Sequence, residues 1–148
     1  MKKLVVLTGL SFLFTVIGFN AWEWFFKLSI KRIDIQNLDT VAYSGQFMTH
    51  LTFVAVVGLI PLIYAMTVRL GQINKAWKKT VTLSIILITA VIFWQLRIQF
   101  LQTELQRITL DSFAVLGSLN IPVYLLIGLV FGAFLSGITF KLTQHNVG

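Results

Sequence analysis

The chain has no cysteine, only two prolines and only five acidic residues among its 148 positions. Without a thiol it can form no disulfide, no thiolate metal site and no cysteine nucleophile. Charged residues make up 11% of the sequence, less than half of the ~25% usual in soluble domains. No H-E-x-x-H is present, and no pair of carboxylates sits deep in an apolar run, so metalloprotease and two-carboxylate chemistry lack their parts. Tyr43-Ser44-Gly45 puts a serine before a glycine but lacks the G-x-S-x-G elbow, and is a chance match. The two histidines, His50 and His145, fall at opposite levels of the chain's layout, which excludes a haem held between them. Nor does any Asp, Glu or Lys lie deep enough for the proton relay of a pump. The expectation is a protein that is not an enzyme and holds no metal or cofactor.

What is present is apolar: 57% hydrophobic residues, including 13 Phe and 4 Trp. A water-soluble fold of this length has too little interior to hide that surface, and the chain is far too hydrophobic for disorder. Four stretches approach the roughly 20 helical residues needed to cross a hydrocarbon core. They run from about Leu4 to Trp24, Phe47 to Val68, Thr80 to Leu96 and Ile121 to Phe140. Trp22 and Trp24 end the first, and Trp77 and Trp94 flank the third, as interfacial aromatics do. Backbone groups in lipid must pair internally, and these runs are too long and too unalternating for barrel strands. The expected fold is therefore all-α: one domain over residues 1–148, a four-helix transmembrane bundle. Met1-Lys2-Lys3 before an apolar run resembles a secretory signal, but that run is too long and no small-x-small site follows it, so it reads as a first span.

Orientation follows the bases. With the N-terminus inside, Lys2, Lys3, Arg69, Lys75, Lys78, Lys79 and Lys141 are inside, while Lys27, Lys31, Arg32, Arg97 and Arg107 are outside with all five acids. This favours an N-in, C-in layout in a cell membrane, a bacterial inner membrane above all. The formal charge of +7 then reflects membrane orientation, and nucleic acid is not an expected partner.

Several groups of residues stand out. Gly128, Gly132 and Ser136, with Ala133 and Gly137 beside them, form a row of small residues that allows close helix approach, within the bundle or to another chain. Trp94, Ile98, Leu101, Leu105 and Ile108 recur at spacings of four and three, an a/d seam that carries the third helix beyond the membrane to about residue 110. That seam folds onto the chain's own loop, lies on headgroups or contacts another chain. Thr8, Ser11, Thr15 and Gly18 share a face of the first helix, either a packed face or a polar path. Gly58 and Pro61 mark a kink in the second. Asn20, Glu23, His50, Gln95, Arg97 and Asn120 gather at the outer boundary, where they either meet interfacial water or converge as a polar cup, with a Glu23–Arg97 ion pair and a titratable His50. Asn120-Ile121-Pro122 reads as a helix start. The outer connection from about Phe25 to Gln46 includes Ile30-Lys31-Arg32-Ile33-Asp34-Ile35, a small strand or a surface-lying segment.

The leading expectation is a non-catalytic membrane subunit that assembles with copies of itself or with other membrane proteins. A small pore or transporter subunit is the second reading. A membrane-resident sensor, whose outer cup detects an unspecified small ligand or a disturbance of the envelope, is the third.

Overall fold

The computed structural model describes residues 2–33, 43–107 and 121–145, with side chains described over 4–29, 47–103 and 121–140. The described residues form four α-helices: α1 (Lys2–Ile33), α2 (Tyr43–Leu70), α3 (Ala76–Arg107) and α4 (Ile121–His145). Each is long and apolar enough to span a membrane.

Two helices are longer than their apolar cores require. At 1.5 Å per residue, the 32 residues of α1 and of α3 each extend about 48 Å, well past a hydrocarbon thickness of ~30 Å. For α1 this corrects the expected outer connection: residues 25–33 are helical, and Ile30 to Ile33 form neither a strand nor a separate surface segment. The reason is local. No Gly, Pro, Asn or Asp interrupts the chain between Trp24 and Ile33, and the inward positions Gly18, Trp22, Phe25 and Ser29 keep a helical period to the end. Asp34 and Ile35 lie outside the described residues, as does Ile108 at the far end of α3.

Antiparallel pairing follows from the registers. Along α1 and α2, Trp22 meets His50 and Phe53 while Gly18 meets Val54 and Val57. Along α3 and α4, Arg97 meets Tyr124, Ala90 meets Gly128 and Trp77 meets Phe140. In both pairs one partner's number rises as the other's falls. Helix α2 also packs on α4, which joins the two pairs into a bundle.

The core has two layers. The outer layer is aromatic, built from Trp22, Phe25, Phe53 and Trp94 with Ile98, Leu101 and Ile121. The Phe25 and Phe53 rings stack at 4.3 Å between centroids, slightly closer than the roughly 4.5–7 Å usual for aromatic pairs. The inner layer is narrower: Val56, Ile86, Ala90 and Leu129. Small and branched residues at that level let α3 and α4 close on each other.

The turn from α2 to α3 is tight and fully hydrogen-bonded. Ile73 N–H donates to Val68 O at 3.0 Å and Gln72 N–H to Arg69 O at 3.3 Å, the paired bonds of a Schellman cap. Gln72 takes the left-handed position at φ 50°, where glycine is usual. Ile73 then tucks in at 2% exposure, burying the apolar residue that ends the motif. The cap also holds Arg69, Lys75, Lys78 and Lys79 at one end of the bundle, beside the start of α1 at Lys2 and Lys3 and the end of α4 at Lys141. No acidic residue occurs among the described positions at this end.

Candidate functional site

The row of small residues in α4 is occupied from within. A Cβ at Gly128 would lie 2.6 Å from Ala90 Cα, and one at Gly132 would meet the Thr89 hydroxyl first and then Ile86 Cα at 2.8 Å. Both glycines face α3 backbone within 3 Å of such a Cβ, so α3 and α4 approach as closely as glycine allows. Ser136 is fully buried, and its hydroxyl donates to Ala133 O at 3.0 Å. Ala133 packs half-buried on the inner core layer. Only Gly137, one turn beyond Ala133, has open space where a side chain would go. Gly128, Gly132 and Ser136 are thus covered by the chain's own helix.

The hydroxyl face of α1 is similarly occupied. Gly18 lies against Val54 and Val57, and Gly58 of α2 lies against Thr15 and the Ser11 carbonyl. Thr15 donates to Ser11 O at 2.9 Å, and the exposed Thr8 donates to Leu4 O at 3.0 Å, so both hydroxyls are satisfied by their own helix. The Ser11 hydroxyl is buried with no hydrogen-bond partner. Thr15 and Gly18 therefore fill the α1–α2 contact. Gly58 serves close approach there, and α2 continues as helix through the buried Pro61.

The seam on α3 is covered by helices. Trp94, Ile98 and Leu101 are 7%, 1% and 2% exposed, packed with Trp22 and Phe25 of α1, Phe53 of α2 and Ile121 of α4. The Trp94 indole N–H donates to Ser29 Oγ at 3.1 Å, and Ser29 donates in turn to Phe25 O at 2.8 Å. The extra turns of α1 supply Phe25 and Ser29 to this cover, where a loop was expected. The side chain of Leu105 and all of Ile108 lie outside the described residues.

The outer polar residues do not share one face. Asn20 is exposed and bonds back to Val16 O at 2.8 Å. Glu23 pairs with Lys27 at 3.7 Å on the exposed side of α1, which corrects the expected Glu23–Arg97 pair. The i,i+4 spacing favours that partner, because both side chains leave the same face of one helix. His50 stacks on Trp22 at 5.2 Å with 12° between ring planes, and its Nε2 is buried with no hydrogen-bond partner. The Arg97 guanidinium lies 5.3 Å from the Tyr124 ring centre, a cation–π contact between α3 and α4. Gln95 is half-buried, and Asn120 lies outside the described residues.

One surface was missed by sequence reasoning. Val5, Phe12, Val16 and Phe19 are 66%, 70%, 43% and 62% exposed, and Gly9 among them faces open space. Their spacings of four, three, four and three repeat the a/d pattern of the α3 seam. The signal was in the sequence, but α1 is apolar on every side, so the stripe has no polar border to set it off. Burial on the opposite face is what defines it. Family models, curated proteins and solved structures yield no match to this chain.

Proposed function

We propose that this chain is a non-catalytic subunit of a membrane complex, docked through the outer stripe of α1 to a second copy or to another membrane protein. The observation that carries the reading is the uneven burial of the spans. Only 6% of the most apolar stretch of α1 is buried, against 33% in each of the other three. The small residues of α4 and α2, the parts best suited to close helix contact, are already used inside the bundle. What remains is the stripe from Val5 to Phe19, with large side chains on both sides of Gly9. Such a profile suits a neighbouring helix, whose residues fill the gap at Gly9 while Phe12 and Val5 pack around it. The exposed Glu23–Lys27 pair continues the same side and offers polar contacts at the membrane boundary.

The same proposal sets both termini in the cytoplasm of a bacterial cell, with the Arg69–Lys79 turn beside them. Seven bases and no acid at that end fit the positive-inside rule, while the other end carries five bases and five acids by sequence. Reporter domains fused after His145 test the orientation: activity only as a cytoplasmic reporter supports it, and periplasmic activity refutes it. Purification in mild detergent with mass measurement tests assembly. A particle larger than one chain, reduced to one chain by Phe12→Ala with Gly9→Leu, is expected. A lone chain in detergent and in native membranes would end the proposal.

A further inference from the structure

A groove of about 740 Å³ runs along the outside of the bundle between α2 and α4, at the end that carries the Arg69–Lys79 turn. Its walls are Ile63 and Met66 on one side and Val130 and Phe134 on the other, and it closes at Gln72. It exists because Gly137 supplies no side chain where α4 passes α2, and a Cβ there would meet nothing within 4 Å. We propose that this groove binds one anionic phospholipid, with an acyl chain along the apolar walls and the headgroup at the turn. The volume is that of a small-molecule site, roughly 300–1,000 Å³, and the lining is apolar up to Thr67, Gly71 and Gln72. Charge complementarity selects the headgroup. Arg69, beside the lining residue Leu70 at the end of α2, and Lys75, three residues past Gln72, are both exposed, and Lys141 lies one helical turn beyond Gly137 in α4. No described Asp or Glu lies at this end to compete for those bases. A phosphodiester at this end therefore lies near the exposed Arg69 and Lys75 and near no described carboxylate, each base worth about fivefold in affinity near a membrane surface.

The test is native mass spectrometry of the full chain released from vesicles of equal phosphatidylcholine and phosphatidylglycerol. Retention of one phosphatidylglycerol in preference to phosphatidylcholine is expected. Arg69→Gln with Lys75→Gln should weaken that preference roughly thirtyfold. Gly137→Trp should abolish retention by filling the groove, whereas Ile92→Trp, on the exposed side of α3, should leave it intact. Gly137→Leu is a smaller filler if the tryptophan variant folds poorly, and is expected to act in the same direction. Equal retention of the two lipids by the native chain overturns the proposal. So does unchanged retention in a folded Gly137 variant, or a Gly137 variant whose effect is loss of a second protein chain, which would make the groove a protein contact.

Discussion

The Trp94 indole N–H of α3 donates to Ser29 Oγ of α1 across 3.1 Å in the buried outer layer of the bundle. These residues stand 65 positions apart, and their bond ties the end of α1 to a helix it otherwise touches little. Ser29 is able to accept because its own proton is directed at Phe25 O. The hydroxyl therefore relays between a helix backbone and the neighbouring helix.

Trp94→Phe keeps a ring in the aromatic layer and removes the donor. Interhelical bonds of this kind in membranes average about 0.6 kcal/mol and reach about 1.7 kcal/mol. A double-mutant cycle of Trp94→Phe and Ser29→Ala, read by unfolding in mixed micelles, should give a coupling within that range. A coupling of zero would mean that the pair contributes nothing to the union of α1 and α3.

The two glycines of α4 that touch α3 should tolerate no side chain. Gly128→Ala places its methyl against the Thr89 and Ala90 backbone, where neither helix can yield by rotating a side chain. Overpacking of this type costs about 1–3 kcal/mol. Gly137→Ala, into open space, should be neutral or stabilising, because alanine loses less entropy in a helix by about 0.5–1 kcal/mol. Thermal melts of the two variants in one detergent separate these outcomes, and equal melting temperatures would place the α3–α4 contact elsewhere.

The spans and the small residues of α4 were legible because lipid imposes a length and close helix contact imposes a residue size. Which surface covers Gly128 and Gly132 was not legible, since a glycine row accepts any backbone and carries no mark of its partner. The end of α1 was hidden for a different reason. Ile33 and Ile35 stand two apart as in a strand while Ile30 and Ile33 stand three apart as in a helix, and the buried Phe25 and Ser29 continue the helical period. The α3 seam of Trp94, Ile98 and Leu101 was visible as an apolar line. Its cover by Phe25, Phe53 and Ile121 from three other helices was not, because an apolar line carries no mark of which residues meet it.

Gln72 is the one described non-glycine residue with positive φ, at 50°. A Cβ in the left-handed region costs roughly 1–2 kcal/mol, part of which glycine recovers. Gln72→Gly should therefore raise stability by up to about 1 kcal/mol. Gln72→Val, β-branched at the same φ, should lower it. Denaturation curves of the three chains should rank Gly above Gln above Val. The reverse order would mean that the Gln72 side chain makes a contact worth more than the backbone strain.

In the proposed complex the outer stripe of α1 docks to another chain. Because the protein has no native cysteine, a single cysteine at Phe12 can carry a photoreactive crosslinker without competition, with Ile92→Cys on the exposed side of α3 as the matched control. In native membranes, illumination should join Phe12→Cys to one defined second chain and leave Ile92→Cys on lipid alone. Crosslinks only to lipid from Phe12→Cys, or equal protein adducts from both positions, would rule out docking through the α1 stripe.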